Sequence, residues 1–414
     1  MTRHTFYTGN ALDVLRTLPS GSVHCVVTSP PYFGLRSYLR PDDPCKPFEI
    51  GTEETPEEYV AHLVEVFREV RRVLRNDGTL WLNLGDSYAG SGKGWTGYNG
   101  ISDHERRQGF RNGRPYADNI IKPKDLIGIP WRVAFALQAD GWWLRRDIIW
   151  HKLNPMPESC QDRPTSAHEY VFLLAKSERY FFDGEAINEP AITNDTRRPY
   201  GSKGMWEMDG RPPEKRHGGE PRKQDMVGQN TYKRNKRDVW TIPTQPFPGA
   251  HFAVFPEALV EPCILAGTSE KGCCPKCGAP WMRVIERGGE VKCGHGASRK
   301  AQETIKKYRG ESSSRTSIFA TSVTKERITT GWCPTCSCGL DPAPCTVLDP
   351  FGGSGTVSVA ARRLGRNSIY IDLNPNYRGM AIARLRPEQH GLFDPCEIEV
   401  VEREPTGTEV AESE

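Results

Sequence analysis

The stretch TVLDPFGGSGTVSVAARRLGRNSIYID, residues 346–372, leaves a chain few folds to choose from. Its apolar, β-branched start reads as a buried strand ending at Leu348 and Asp349. A tight turn with Gly352, Gly353 and Gly355 then opens a helix. Glycines there let a ligand approach the backbone, and the helix N-terminus offers free N–H groups. The turn is not the phosphate loop GxxxxGK[ST], because no Lys follows Gly355. A second strand ends at Asp372, where an acid commonly takes the two hydroxyls of a ribose. Strand, glycine turn, helix, strand and acid within 24 residues define a ligand-binding unit of an α/β sheet.

The N-terminal half follows the same rhythm. SVHCVV reads as a buried strand, yet it runs into TSPPYFGL, residues 28–35. Two prolines break any helix and remove two backbone N–H groups, so the strand ends in a rigid turn that asks for a reason. Tyr59, Leu63, Val66, Val70, Val73 and Leu74 then recur at helical spacing, with Thr55 before Pro56 as N-cap and Gly78 as the stop. TLWLNLGD reads as the next strand, AGSGKGWTGYNG as a loop, and LIGIPWRVAFALQADGWWLRRDIIWHK as helix, turn and strand. HEYVFLLAKSERYFFD reads as a strand with a hairpin partner. Residues 184–250 lose all period, and FPEALVEPCILAG restores a helix.

A length of 414 residues calls for two or three units. With 37% hydrophobic and 26% charged residues, and no run of 18 apolar ones, the chain reads as globular without a membrane span. The N-terminus lacks the apolar core of a signal peptide, so a cytoplasmic location is expected. Residues 191–240 hold 12 Lys/Arg against 7 Asp/Glu, a local excess of five positive charges within a net of +3. Eight of the 13 cysteines lie between Cys273 and Cys345, which in a reducing compartment points to metal before disulfides. Cys274 and Cys277 form one CxxC; GWCPTCSCG offers Cys333, Cys336 and Cys338. Four thiolates make a closed structural zinc site, and the CxxC spacing pairs Cys333 with Cys336. Cys293 and His295 are weaker candidates.

With TSPPY and DPFGGSGT both in view, the chain resembles the S-adenosylmethionine-dependent DNA amino-methyltransferases, which methylate cytosine N4 or adenine N6. The catalytic motif comes first and the cofactor motif about 320 residues later, as in the circularly permuted beta group. LWLNLGDSY, IIWHKLNPMPES, HEYVFLLAKS and FPEALVEPCILAG follow in that group's order. The resemblance implies a Rossmann-like methyltransferase sheet, α/β with helices on both faces, carrying a target-recognition insert and a zinc-knuckle insert. It places the catalytic half at 1–183, target recognition at 184–250, the cofactor half at 251–268 and 341–390 and the cysteine insert at 269–340, while the acidic composition of 391–414 reads as a disordered tail.

The resemblance also explains the rigid turn. An exocyclic amine on an aromatic base is a poor nucleophile, because its lone pair is conjugated into the ring. The Ser29 hydroxyl and the Pro30 carbonyl are the two acceptors for its hydrogens, Pro31 stiffens the turn, and Tyr32 offers a ring for the base. A duplex base reaches such a pocket only when flipped out. The cofactor set implied is Asp349, Phe351, Gly353, Ser354, Gly355 and Thr356, with Asp372 for the ribose and Phe255 and Pro256 closing over the ligand. Many members have Gly-Asp where this chain has Gly9-Asn10, so the part played by Asn10 departs from the pattern. In this family Ser at the first motif position goes with N4-cytosine, and Asp or Asn with N6-adenine. Related enzymes end the knuckle as Trp-x-Pro-Thr-Cys-x-Cys, which favours Cys336 and Cys338 over Cys333. The implied partners are double-stranded DNA, held by the Arg and Lys of 191–240, and a companion restriction endonuclease, with one or two copies of the chain acting together. The competing readings are the same chemistry on adenine and a nucleic-acid-binding zinc protein without catalysis.

Overall fold

The computed structural model describes residues 1–35, 37–89, 121–122, 124–190, 233–245, 254–287, 327–386 and 396–402. Among them are thirteen strands: β1 (Thr2–Thr8), β2 (Val23–Thr28), β3 (Leu74–Leu84), β4 (Trp143–His151), β5 (His168–Ala175), β6 (Glu189–Pro190), β7 (Lys233–Arg234), β8 (Val239–Thr241), β9 (Trp281–Arg287), β10 (Arg327–Pro334), β11 (Thr346–Asp349), β12 (Asn367–Asp372) and β13 (Cys396–Glu402). The helices are α1 (Ala11–Thr17), α2 (Pro56–Val73), α3 (Ile129–Ala139), α4 (Glu257–Gly267), α5 (Thr356–Arg363) and α6 (Pro375–Leu385).

The chain divides into two units. The first comprises Met1–Ile187, Arg237–Arg283 and Trp332–Glu414; the second comprises Asn188–Lys236 and Val284–Gly331. The second unit joins most of the expected recognition region to the middle of the cysteine insert, and the cysteine-bearing ends of that insert belong to the first unit. In the second unit β6 pairs antiparallel with β7, and Arg234 holds Glu189 at 2.7 Å. Residues 191–232 and Cys293 and His295 lie outside the described residues.

The first unit is built on a nine-stranded sheet in the order β13-β1-β12-β11-β2-β3-β5-β4-β8. The six strands from β13 to β3 run parallel, and β5 is antiparallel to both of its neighbours. Side chains alternate across the sheet, as the strand period requires. Val26, Leu80, Leu82, Phe172, Leu174 and Leu348 face a core made with α1, α2 and α3. Cys25, Val27, Trp81, Val171, Leu173 and Val347 face a core made with α4 and α5. Both faces are covered, which is why β2 and β11 read as unbroken apolar runs.

α2 begins where Thr55 and Pro56 place it. The Thr55 hydroxyl accepts the Glu58 N–H at 3.1 Å, and the Glu58 carboxylate accepts the Thr55 N–H at 3.2 Å. The helix ends at Val73, before the expected stop at Gly78. Leu74 is fully buried and pairs with Val23 in the sheet, while Cys25 pairs with Thr79. The register shifts between Leu74 and Thr79, so burial of Leu74 in the sheet wins over continuation of the helix. Two further expectations change. Residues 176–183 do not return as a hairpin strand; the antiparallel partners of β5 are β3 and β4. Cys396–Glu402, assigned to a disordered tail, form β13 and pair in parallel with the whole of β1. The alternation in EIEVVE is a strand signal that the acidic composition masks.

The crossovers decide where a ligand goes. From β2 the chain crosses through α2 to β3; from β11 it crosses through α5 to β12, on the opposite face and in the opposite direction. The carboxyl ends of β2 and β11 are neighbours, with Val347 beside Cys25 and Leu348 beside Val26. A parallel sheet opens a crevice where its order reverses, and here that point lies between β11 and β2. Thr55→Ala removes the capping box and should lower the unfolding free energy by about 1 kcal/mol, whereas Thr55→Ser should leave it nearly unchanged; urea titration of both variants checks this.

Candidate active site

A cavity of about 980 Å³ opens at that reversal point. Ser29, Pro30, Pro31 and Tyr32 line it from the end of β2, and Pro350, Phe351, Gly352, Gly353, Ser354 and Thr356 from the end of β11. Asp372, Asn374 and Tyr377 line it after β12, Asn10 after β1, and Phe255 before α4. The two motifs, distant in sequence, therefore form two walls of one site.

The glycine turn owes its shape to sterics and to a half-buried arginine. Gly355 caps α5 at φ +78°, and a Cβ there would lie 2.5 Å from the Ala381 Cβ of α6. Arg384 donates to the Ser354 carbonyl at 2.9 Å, to its hydroxyl at 3.0 Å and to the Thr356 hydroxyl at 3.1 Å. Ser354 and Thr356 are thus held by the protein itself. Asp372 accepts the Gly353 N–H at 2.8 Å and the Asn374 N–H at 2.8 Å, which fixes its carboxylate at the cavity wall. Burial pushes Asp372 up to about 6 despite those two donors.

Asp349 lies beneath the cavity rather than on its wall. Its Oδ1 accepts the Thr28 hydroxyl at 2.7 Å and the Phe351 N–H at 3.1 Å. Its Oδ2 is buried with no partner among the described residues. Burial pushes Asp349 up to about 7; the Thr28 and Phe351 donors oppose the shift, and the Asp372 carboxylate adds to it. Asn10 spends its side-chain oxygen on the Leu12 N–H at 2.8 Å, capping α1. Pro256 is the N-cap residue of α4 and is buried, leaving Phe255 as the member of that pair on the cavity wall.

On the opposite wall Tyr59 donates to the Pro31 carbonyl at 2.8 Å, tying the proline turn to α2. Gly85 leaves room for the Tyr32 ring, since a Cβ there would fall 2.6 Å from it. The Tyr32 hydroxyl lies 2.8 Å from Glu169, 3.2 Å from Asn83 and 3.3 Å from Ser29. Asn83, Lys152 and Glu169 are site residues that motif reading missed. They sit inside LWLNLGDSY, IIWHKLNPMPES and HEYVFLLAKS, and only the fold of β3, β4 and β5 brings them under Ser29. Asp86 is on the wall too, but its carboxylate accepts the Gly128 and Ile129 N–H groups and so caps α3.

The cysteines form a separate candidate metal centre in the same unit. The sulfurs of Cys274, Cys277, Cys336 and Cys338 lie within 4.8 Å of one another. Those of Cys277 and Cys338 are 3.8 Å apart, the edge of a tetrahedron with metal–sulfur arms of about 2.3 Å. Cys333, which the CxxC spacing offered, lies outside this group, exposed in β10. The Cys277 and Lys276 N–H groups draw the Cys274 thiol down to about 7. His24 and Arg75 bond the knuckle carbonyls of Gly278 and Cys277 at 3.0 and 2.7 Å. His24, Cys273 and Cys345 also cluster, but both ring nitrogens of His24 are engaged, Nε2 by the Gly278 carbonyl and Nδ1 by the Thr346 N–H.

The arrangement sets a glycine turn and a strand-end acid beside a Ser-Pro-Pro-Tyr turn in one cavity. The family model for DNA methylases acting on N6 or N4 matches residues 23–274 and 345–383. The Type II methyltransferase M.Cfr9I of Citrobacter freundii is 37% identical over 389 residues, covering 94% of this chain and 90% of that protein. M.XycI of Xanthomonas campestris pv. cyanopsidis is 46% identical over the same coverage of 94% and 90%. The solved PvuII DNA methyltransferase, described as cytosine-N4-specific, is 16% identical with a TM-score of 0.49, covering 93% of this chain and 88% of its own. The chain belongs to the S-adenosylmethionine-dependent DNA amino-methyltransferases, the family whose members modify N4 or N6 of a base.

The buried acid gives a sign to test. An unfolded Asp titrates near about 4. Folded Asp349, at about 7, holds a proton that the unfolded chain has lost between those values, so its contribution to stability falls as pH rises through that window. Asp349→Asn keeps an acceptor for Thr28 and cannot ionise. Its melting temperature should gain on wild type as pH rises from about 4 to about 7, by calorimetry; parallel curves would contradict the shift.

Proposed function

We propose that the chain methylates the exocyclic N4 amine of a flipped cytosine at a specific sequence in double-stranded DNA. The observation that carries this reading is the single cavity walled by Ser29–Tyr32 and by Pro350–Thr356. The Ser29 hydroxyl and the Pro30 carbonyl accept the two amine hydrogens and turn the nitrogen lone pair outward. Of the two proline carbonyls, that of Pro31 is already taken by Tyr59. Tyr32 offers its ring to the base.

The residues on the other wall fit S-adenosylmethionine. Asp372, fixed at the cavity wall by two backbone donors, would accept the ribose hydroxyls, and Phe351, Gly353 and Phe255 would supply apolar and backbone surface. When bound, that cofactor supplies the methyl group. A neutral serine in place of a carboxylate favours cytosine, by analogy with the family. The four clustered cysteines would hold one structural zinc, with no open position for catalysis. The basic stretch that ends with Arg234, Lys236 and Arg237 would hold phosphates and read base edges, and sequencing the methylated sites tests whether its replacement changes them. Relatives named Type II methyltransferases favour a companion restriction endonuclease and a cytoplasmic setting. Among the described residues no helix is long and apolar enough to cross a membrane.

Mass spectrometry of nucleosides from duplex DNA treated with labelled S-adenosylmethionine should give labelled N4-methylcytosine from wild type and at most about 1% of it from Ser29→Ala. Labelled N6-methyladenine would overturn the choice of base, and no label at all would favour a binding protein without catalysis. Elemental analysis should find about one zinc per chain, kept in Cys333→Ser and lost in Cys338→Ser.

A further inference from the structure

Ser29 has to accept a hydrogen bond from the base amine, yet a free hydroxyl can equally turn its own hydrogen toward the amine lone pair and block it. What fixes its direction lies one layer deeper. The Glu169 Oε2 is 2.8 Å from the Tyr32 hydroxyl and 3.1 Å from the Asn83 amide nitrogen. Lys152 donates to the other oxygen, Oε1. Lys152 and Glu169 are only 20% and 14% exposed, and all five residues of the network line the cavity.

We propose that Glu169, acting through Tyr32, orients the Ser29 hydroxyl and takes up the proton that amine methylation releases. This rests on the function proposed above. The direction of each bond follows from counting hydrogens. A carboxylate paired with lysine only accepts, so Tyr32 gives its one hydrogen to the charged Glu169 oxygen at 2.8 Å rather than to the neutral Asn83 Oδ1 at 3.2 Å. The Tyr32 oxygen is then left to accept from Ser29, at 3.3 Å. Ser29 has one hydrogen and has spent it, so only lone pairs remain for the cavity. Each bond in such a chain polarises the next, and the neutral serine gains part of the acceptor strength of a carboxylate.

The same chain accounts for a proton. As the amine nitrogen bonds to the methyl carbon, the carbon–sulfur bond breaks and its electron pair goes to sulfur. The nitrogen is left positively charged with one hydrogen in excess. That proton moves to Ser29 Oγ while the Ser29 proton moves to the Tyr32 oxygen and the Tyr32 proton to Glu169 Oε2. The products are a neutral methylamine and a neutral Glu169 acid, with no further reactant. Glu169 is therefore a positioning residue that ends the relay.

The test is the single-turnover rate of methyl transfer at saturating DNA and cofactor, measured beside the affinities for each. Wild type, Glu169→Gln, Glu169→Asp, Tyr32→Phe and the Glu169→Gln/Tyr32→Phe double variant are compared. Both Glu169→Gln and Tyr32→Phe should slow transfer by about 10²-fold or more with unchanged affinities. The double variant should be no slower than the worse single, and Glu169→Asp should recover part of the rate. If Glu169→Gln does not fold, Tyr32→Phe with Glu169→Asp decides the matter. A wild-type rate in Tyr32→Phe, additive losses, or a loss confined to affinity would overturn the relay. Wild-type protein that labels no DNA would instead overturn the function on which the relay rests.

Discussion

At 2.7 Å, the Thr28 hydroxyl on the Asp349 carboxylate joins the last residue of β2 to the last residue of β11. Everything at the site hangs on that junction. The parallel pairing of β2 and β11 brings it about, and both motifs start from it: Ser-Pro-Pro-Tyr one residue beyond Thr28, the glycine turn just beyond Asp349. The junction has an energetic cost, because it buries a carboxylate with one oxygen unanswered. That cost is why Asp349 titrates so high, and a cationic ligand above it would offset the cost.

This also explains why the order of motifs along the chain is free to vary. The chemistry needs two strand ends side by side and two crossovers leaving in opposite directions. It does not need the cofactor strand to come first. The chain from β2 through β5 returns to the sheet beside β2, on the far side from β11, and the long excursion to β11 passes through α4 before closing the gap.

The sequence and the structure agree best where one residue type has one physical job. The buried runs of β2 and β11, the capping box at Thr55 and the glycine turn were legible because burial, a lone hydroxyl and a positive φ each leave a mark on local sequence. The misses share a different character. Leu74 satisfies a helical pattern and a strand pattern equally, and only its pairing with Val23 decides between them. The strand β13 exists because β1 offers it an edge, which no window around Cys396–Glu402 reveals. Lys152 and Glu169 look like surface charges in their own segments; they become site residues because β4 and β5 pair at the cavity floor and because Tyr32 reaches down to them. Cys333 was offered by spacing alone, and the fold drops it in favour of Cys338.

The knuckle has an effect on the chain it interrupts. Cys277 and Cys336 stand at either end of a long insert; the Cys277 turn is held to β2 and β3 by His24 and Arg75, and Thr335 beside Cys336 donates to the Pro280 carbonyl at 2.7 Å. With the ends gathered at one point on the rigid sheet, the segment between them is a closed loop. The entropy of closing a loop rises only logarithmically, by about 0.6 kcal/mol for each doubling of length. A change in the length of that segment would therefore cost the sheet little, so the four cysteines insulate the sheet from what the insert carries.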